Sequence, residues 1–348
     1  MTAPLVLGVL YDFPQGDGGA LFEAALHEGL SETAARRTRP VTLRSLEVHG
    51  LPAGSAGEVE AGLRHLADDG VCAVVGPSIS DNAIVAAPVA DALGLACINY
   101  SGGERTRSEW MFHYQVGSLE EEPLLLAERM VERGLERAAV VFDDSVVGRR
   151  YEECFRHACA RHACTLVESR SVTSLATEVT SELDALRAHA PDVLVYLGLG
   201  VSARAVAVGL VEVAWSVPVL ANSALMFGYA RRDWRLGFAG WEYIDTVADD
   251  NSVRDAFARR LPRAASGPIG CAAYDIGRLL GEALVRAPDG ERRAVHDALE
   301  AVKGLPAASG HDGTVVGFGA WDRGALHGRF LVLREWHDGH SRQVVRPR

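Results

Sequence analysis

Lysine is almost missing from this sequence. Lys303 is the only one, so 34 of the 35 basic residues are arginine. They are scattered or stand in short pairs such as Arg36-Arg37, Arg149-Arg150 and Arg292-Arg293, a pattern of solvated faces rather than of a polyanion-binding stripe. The formal net charge is −11, and a general nucleic-acid binder needs clustered positive charge. No nucleic-acid partner is expected. Long apolar runs are absent too. No window approaches the ~18 consecutive apolar residues of a membrane span, which argues against direct membrane insertion. Six cysteines (Cys72, Cys97, Cys154, Cys159, Cys164, Cys271) are too few for a disulfide scaffold in 348 residues, which fits a reducing compartment. The opening stretch, "MTAPLVLGVLYDFP", has neither a basic n-region nor a small-residue cleavage site. As it stands the sequence is expected to be cytoplasmic. The alternative is a periplasmic or cell-surface protein whose leader has been removed.

Several chemical signatures are missing as well. There is no G-x-G-x-x-G and no G-x-x-x-x-G-K-[ST], which argues against dinucleotide and P-loop nucleotide sites. No H-E-x-x-H, G-x-S-x-G or C-x-x-C occurs, so no cofactor, metal or nucleophile is expected. The run "CFRHACARHAC" invites a metal reading. At 100° per residue, however, Tyr151, Phe155, Ala158, Cys159 and His162 share one helical face, while Cys154, His157 and Cys164 point elsewhere. Cys154 and Cys164 would lie about 15 Å apart along the axis, too far for one zinc. A core-facing helix is expected there.

What is present is a rhythm. Nearly half the residues are hydrophobic, and the length suits two domains. Short β-branched runs alternate with helical stretches: strands at 5–11, 41–50, 71–75 and 95–99, helices at 18–37, 55–70 and 81–93. Ser55 followed by Glu58 predicts a capping box. A second set follows, with strands at 137–144, 165–172, 192–199 and 217–223 and helices at 120–134, 149–164, 176–190 and 202–214. Strands separated by helices mean βαβ units and parallel sheets. The fold class is therefore α/β, with two Rossmann-like doubly wound lobes. Residues 226–251 read as irregular and aromatic. Helices resume at 252–261, 267–287 and 291–303, and the "HDG" and "DRG" turn signals beyond 310 predict antiparallel strands. The expected lobes are 1–117 with 247–322, and 118–246 with 323–348.

In open α/β sheets ligands gather beyond the carboxyl ends of the strands. Three such ends carry small polar groups. "VVGPSISDNAIVAAP" (74–88) places Ser78 and Ser80 between a strand and a helix. Ser80 reads either as an N-cap bonded to Ala83 N–H or as a hydroxyl for a ligand at a helix start. "CINYSGGERTR" (97–107) brings Tyr100, Ser101, Gly102 and Gly103 to a neighbouring end. There Tyr supplies a flat face with a polar tip, and glycine allows close backbone approach. "DFPQGDGG" (12–19) puts Asp12 and Phe13 at a third, as the edge of a mouth or as a plain turn.

In order and content these features resemble the type I periplasmic binding protein family, in its leucine/isoleucine/valine-binding branch, which has cytoplasmic amide-sensing relatives. The most specific window is "VCAVVGPSISDNAIVAAPVADALGLACINYSG"; "RAAVVFDDSVVGRRYEECF" and "AAYDIGRLLGEAL" resemble the family's second-lobe opening and late helix. The resemblance implies three crossovers, near 117, 246 and 323, and a small organic ligand in a cleft that closes by hinge motion. The closed shape would be read by an ABC permease or a regulatory protein. It carries first-lobe ligand contacts onto Ser80 and the Tyr100–Gly103 segment, with Ser80 both capping and binding. Second-lobe contacts fall near Val147, near Gly198 to Gly200, and around Asn222 and Ser223. There the sequence departs from amino-acid binders: Val147 replaces an aromatic, and Asn222 or Ser223 stands where an acid would meet an α-ammonium. A buried ammonium without a counter-charge is costly. A neutral or carboxylate-bearing, partly apolar ligand is expected, with Tyr274 adding aromatic surface and Asp12 or Asp143 as alternative sources of charge. The rival is an α/β enzyme acting in the same cleft, suggested by Asp12, Asp143, Asp144 and Tyr196 near strand ends.

Overall fold

The computed structural model describes residues 3–14, 18–103 and 106–345. In chain order the elements are β1 (Leu5–Tyr11), α1 (Gly18–Ser31), β2 (Val41–Glu47), α2 (Ala56–Asp68), β3 (Ala73–Val75), α3 (Ser80–Leu93), β4 (Cys97–Asn99) and β5 (Met111–His113). Then come α4 (Glu122–Glu132), β6 (Arg137–Asp143), α5 (Val146–Arg161), β7 (Thr165–Val172), α6 (Thr180–Arg187), β8 (Val193–Leu197), α7 (Ala203–Glu212) and β9 (Val219–Ala221). After these the chain forms α8 (Phe227–Ala230), α9 (Arg232–Gly237), β10 (Glu242–Asp245), α10 (Ser252–Arg260), α11 (Pro268–Arg286) and α12 (Arg292–Ala301). The short strands β11 (Leu305–Pro306), β12 (Val315–Val316) and β13 (Leu326–His327) precede the closing pair β14 (Val332–His337) and β15 (His340–Gln343).

Packing divides the chain into two compact units, Met1–Val116 with Thr246–Phe330, and Gly117–Asp245 with Leu331–Arg348. In the first, five parallel strands take the order β2-β1-β3-β4-β5. In the second, β7-β6-β8-β9-β10 repeat that order in parallel, and β14 and β15 extend the sheet antiparallel. Each sheet reverses its winding beside its first strand, at β1/β3 and at β6/β8, which is the switch point of a doubly wound sheet. The central strands read as unbroken apolar runs because both faces are covered. Ala73–Val75 and Val193–Leu197 are wholly buried.

Helix α2 starts at the expected N-cap, with Ser55 Oγ accepting from Glu58 N–H at 3.3 Å, but the reciprocal half of the box is not made: Ser55 N–H donates to the His49 carbonyl at 2.9 Å. Its Val59, Leu63 and Leu66 bury one stripe. Helices α1 and α11 meet backbone to backbone. A Cβ on Gly29 would lie 2.1 Å from the Tyr274 carbonyl oxygen, and one on Gly277 2.2 Å from that of Leu26. On α5, Tyr151, Phe155, Ala158 and Cys159 are buried as the stripe predicted, and His162 is half-buried. Among the described residues Cys154, His157 and Cys164 form no metal-ligand group.

Three expectations need correction. The helix expected over 18–37 ends at Ser31, and 34–36 is a separate 3-10 turn. Strands β5 and β10 were not expected, since each is only three or four residues long and β10 lies inside the stretch read as irregular. The third crossing falls at 330/331 rather than 322/323. Residues 324–327 stay with the first unit because β13 pairs with β12 and Gly324 bridges to His113. The antiparallel ending is present: β14 and β15 are joined by Asp338-Gly339, at φ 49° and 73°, the left-handed pair of a tight hairpin turn. Among the described residues no helix is long and apolar enough to cross a membrane.

Candidate functional site

In the first unit the ends of β1, β3 and β4 converge on Asp12. Its Oδ1 accepts from Ser78 N–H and from Ser78 Oγ, each at 2.7 Å. Its Oδ2 accepts from Ile79 N–H at 2.9 Å and Asn82 Nδ2 at 2.8 Å. The start of α3 is therefore tied down by a carboxylate from the neighbouring strand. Its own N-cap residue, Ile79, offers no side-chain bond. Burial pushes the Asp12 carboxyl above its usual range, and the four donors pull it back. Asp12 was expected to edge the mouth; instead it is fully enclosed, and the Ser78 hydroxyl is engaged with it.

Ser80 does not cap. Ala83 N–H bonds to the Ile79 carbonyl at 2.9 Å, and Ser80 sits one residue further in, as the first residue of α3. It is half-buried, and its hydroxyl has no hydrogen bond among the described residues. Gly103 lies against it: a Cβ there would come 2.5 Å from Ser80 Oγ. The structure thus brings Ser80 and the Ser101–Gly103 turn together. Ser101 Oγ donates to Asn99 Oδ1 at 2.9 Å. The Ser101 carbonyl lies 2.6 Å from His113 Nε2. Arg107 Nε can only donate, and it faces His113 Nδ1 at 3.3 Å. The His113 proton therefore sits on Nε2 and goes to Ser101. Burial drives the His113 pKa down to about 3, so the ring is neutral. Tyr100 is 2% exposed and stacks on Phe22 at 4.8 Å. Its hydroxyl is buried beside Ser78 with no partner in hydrogen-bond geometry. Gly102 and Phe13 are half-buried at the same strand ends. Residues 15–17 of the glycine-rich turn, and 104 and 105, lie outside the described residues.

The second unit repeats the device. Asp143, at the end of β6, accepts from Leu199 N–H through Oδ2 and from Ser202 Oγ through Oδ1, both at 2.6 Å. Tyr196 Oη lies 2.8 Å from Ser202 Oγ and accepts from Gly200 N–H at 3.0 Å. In each unit an aspartate at the first strand's end organises the turn after the adjacent strand across the switch point. Asp143, like Asp12, is internal and supplies no charge to a mouth.

Gly198 and Asn222 are joined to each other. The Asn222 amide accepts from Gly198 N–H at 3.4 Å and donates to its carbonyl at 3.0 Å. Ser223 N–H and Oγ both donate to Glu122, at 2.7 and 3.0 Å. That fully buried carboxylate also accepts from Ser118 N–H at 2.6 Å and Tyr151 Oη at 3.1 Å. Burial raises the Glu122 pKa to about 7 against these four donors. Sequence reasoning found no acid near Asn222 and Ser223, and missed Glu122. In "EEEP" it looks like ordinary solvated charge at a helix start, and the contact that buries it spans 101 residues. Val147 is buried at the start of α5, while its neighbour Val146 is 63% exposed. Tyr274 does not join the set. It stacks on Phe257 at 4.3 Å, its hydroxyl meets Glu32 and Arg260, and it lies against Gly29, near the end of α1 remote from β1.

A family model described as periplasmic binding protein matches residues 52–322. A search among curated proteins returned no match. Among solved structures, an ABC transporter substrate-binding protein from Desulfitobacterium hafniense, in complex with leucine, is 19% identical with a TM-score of 0.79, covering 98% of this chain and 100% of its own. A leucine-binding protein from Thermotoga maritima is 13% identical, with a TM-score of 0.81 and 98% of each chain covered. A solute-binding protein of an ABC transporter from R. palustris, in complex with 4-hydroxybenzoate, is 14% identical with a TM-score of 0.81, covering 98% of this chain and 96% of its own.

Proposed function

This chain belongs to the periplasmic binding protein family, and we propose that it is a non-catalytic binding protein for a small organic molecule. One observation carries this reading. The Ser80 hydroxyl is half-buried and makes no hydrogen bond among the described residues; it lies beyond the end of β3, packed against Gly103 in the turn that follows β4. That is the strand-end position where open α/β sheets hold ligands. Of the four groups that suggested an enzyme, Asp12, Asp143 and Tyr196 are closed into internal hydrogen bonds, and Asp144 is exposed and paired with Arg149.

The ligand class follows from what is unavailable. Glu122 is enclosed by four donors and offers no counter-charge to an ammonium. Exposed Val146 and half-buried Phe13 give apolar surface at strand ends. A neutral or carboxylate-bearing, partly apolar molecule fits this better than a free amino acid. Of the relatives, one was solved with leucine and one with 4-hydroxybenzoate, and the second kind of ligand suits these groups. The partner that reads the loaded protein would be an ABC permease or a regulatory protein. The first would go with a periplasmic or cell-surface location, the second with the cytoplasm.

Native mass spectrometry of freshly purified protein tests the proposal, followed by thermal shift against a library in which the compound is recovered unaltered. A binder gains stability by mass action. Turnover of the stabilising compound would return the reading to an enzyme. Ser80→Ala carries a sharper expectation. Ligand affinity should fall by about 1–3 kcal/mol as a buried polar group loses its partner. Stability without ligand should change by less than about 0.5 kcal/mol, because Ser80 makes no capping bond. Calorimetry showing equal affinity for both proteins would remove Ser80 from the site.

A further inference from the structure

The segment that follows β9 carries a guanidinium with no anion. Arg231 lies over two aromatic rings that touch each other, its Cζ 5.2 Å from the centroid of Phe227 and 4.5 Å from that of Trp234, with the two centroids 6.3 Å apart. It is half-buried, and among the described residues its side chain makes no hydrogen bond or ion pair. Asp233, two residues on and exposed, attracts it only from beyond ion-pair distance. Aromatic rings attract the charge of a guanidinium but do not use up its planar fork of N–H donors, which stays available to an acceptor. Burial lowers its affinity for its own proton somewhat, yet an arginine stays charged. A partly desolvated cation with open donors is costly until an acceptor meets it.

Its position matters as much as its state. Phe227 packs on the turn after β8: a Cβ on Gly200, at φ 101°, would come 2.8 Å from Phe227 Cδ2. That turn is the one Asp143 and Tyr196 hold at the switch point. The chain reaches Arg231 directly from the strand end at Asn222 and Ser223, through a 3-10 turn and the four residues of α8. Arg231 is thus held by a ring that itself lines the strand-end surface of the second unit.

We propose that Arg231 is the anion-binding residue of the second unit and receives the carboxylate of the ligand, with Phe227 and Trp234 holding its fork in place. This rests on the binding reading above and narrows it to ligands that carry an acid group. An ammonium is disfavoured at the same surface by the same charge.

The test uses the whole chain and two matched pairs of probes, 3-phenylpropanoate with 3-phenylpropanamide and 4-methylpentanoate with 4-methylpentanamide, alongside phenylalanine and leucine. Calorimetry should show at least one acid binding about tenfold or more tightly than its amide, since a hydrogen bond to a charged group is worth more than a neutral one. Arg231→Gln should remove that preference, weakening the acid about tenfold or more while leaving the amide within about twofold. Ser80→Ala should weaken acid and amide alike. Circular dichroism melts of both variants check that they fold. If Arg231→Gln does not fold, Arg231→Lys replaces it: the point charge keeps part of the acid preference and loses the fork, so the acid should weaken by a smaller factor than the amide-level limit. Equal losses for acid and amide, or an acid affinity unchanged by the substitution, overturn the assignment to Arg231 and leave the binding function intact. Binding of amides or free amino acids with no acid bound overturns it as well. Absence of binding by all six compounds also overturns it, and only retention of no molecule at all in native mass spectrometry reaches further, to the binding function itself.

Discussion

Asp12→Ala is expected to destabilise the first unit by about 4 kcal/mol. The substitution strips the acceptor from Ser78 N–H, Ser78 Oγ, Ile79 N–H and Asn82 Nδ2 at once. Each buried group left without a partner costs about 1–3 kcal/mol, and groups sharing one acceptor do not add in full. The two hydroxyl and amide side chains can turn to new partners, but the two backbone N–H groups at the helix start cannot. For a unit of this size the unfolding temperature should fall by about 10 °C. Differential scanning calorimetry reads this best, because a chain of two units need not unfold in one step. Hydrogen exchange should accelerate at residues 78–82 before it does elsewhere. Ligand affinity should fall further than it does in Ser80→Ala, since the backbone that aims Ser80 is no longer anchored. A loss below about 1 kcal/mol, or exchange unchanged at 78–82, would show that the helix start holds itself.

The second large effect concerns pH and Glu122. Its pKa is near 7 in the folded chain against an ordinary value of 4.5. Burial is the cause, and the hydrogen bonds from Ser223, Ser118 and Tyr151 oppose it. Because the folded value lies above the unfolded one, the folded state holds this proton more tightly. The associated stability is full below about pH 4.5 and is lost as pH rises through about 7. Over that window the loss amounts to about 3 kcal/mol by linkage. Other buried acids, among them Asp275 at about 6, titrate in the same range, so the comparison must be subtractive. Urea unfolding at pH 5 and pH 8 should show the unaltered chain losing about 3 kcal/mol more than Glu122→Gln. Identical pH dependence in the two proteins would mean that Glu122 is ionised throughout and that its donors outweigh its burial.

Both predictions rest on aspartate and glutamate side chains whose neighbours are remote in sequence, and that marks where sequence reading stopped. Ser80 and the Tyr100–Gly103 segment were found as a place, because a strand ending in Gly-Pro-Ser and another ending in Tyr-Ser-Gly-Gly are local patterns with a local meaning. What each side chain does there was not legible. Whether Ser80 or Asp12 satisfies the first turn of α3 depends on β1 lying beside β3, a pairing across 66 residues. Glu122 carries no local sign of burial, because Tyr151 and Ser223, which help enclose it, lie 29 and 101 residues away. Tyr274 was expected to add aromatic surface to the ligand site, whereas α11 packs it on Phe257 and against Gly29 of α1. Arg231 fell in a stretch without periodicity, and its two ring contacts, at spacings of three and four residues, are the one trace that pattern reading offered.

The sequence by itself determined the alternation of strands and helices, the doubling of the lobes, the hairpin at Asp338-Gly339 and the strand ends worth inspecting. All of these follow from interactions within a few residues: apolar periodicity, capping and turn conformation. The tertiary structure alone decided which polar groups are closed and which stay open. That choice is made by hydrogen bonds between adjacent strand ends, and a buried donor or acceptor takes whatever partner the packed neighbours present. Asp12, Asp143, Asn222 and Glu122 found such partners within their own units. Among the described residues the Ser80 hydroxyl, the Tyr100 hydroxyl and the Arg231 guanidinium did not: the packed neighbours that would have had to supply a partner present none to them.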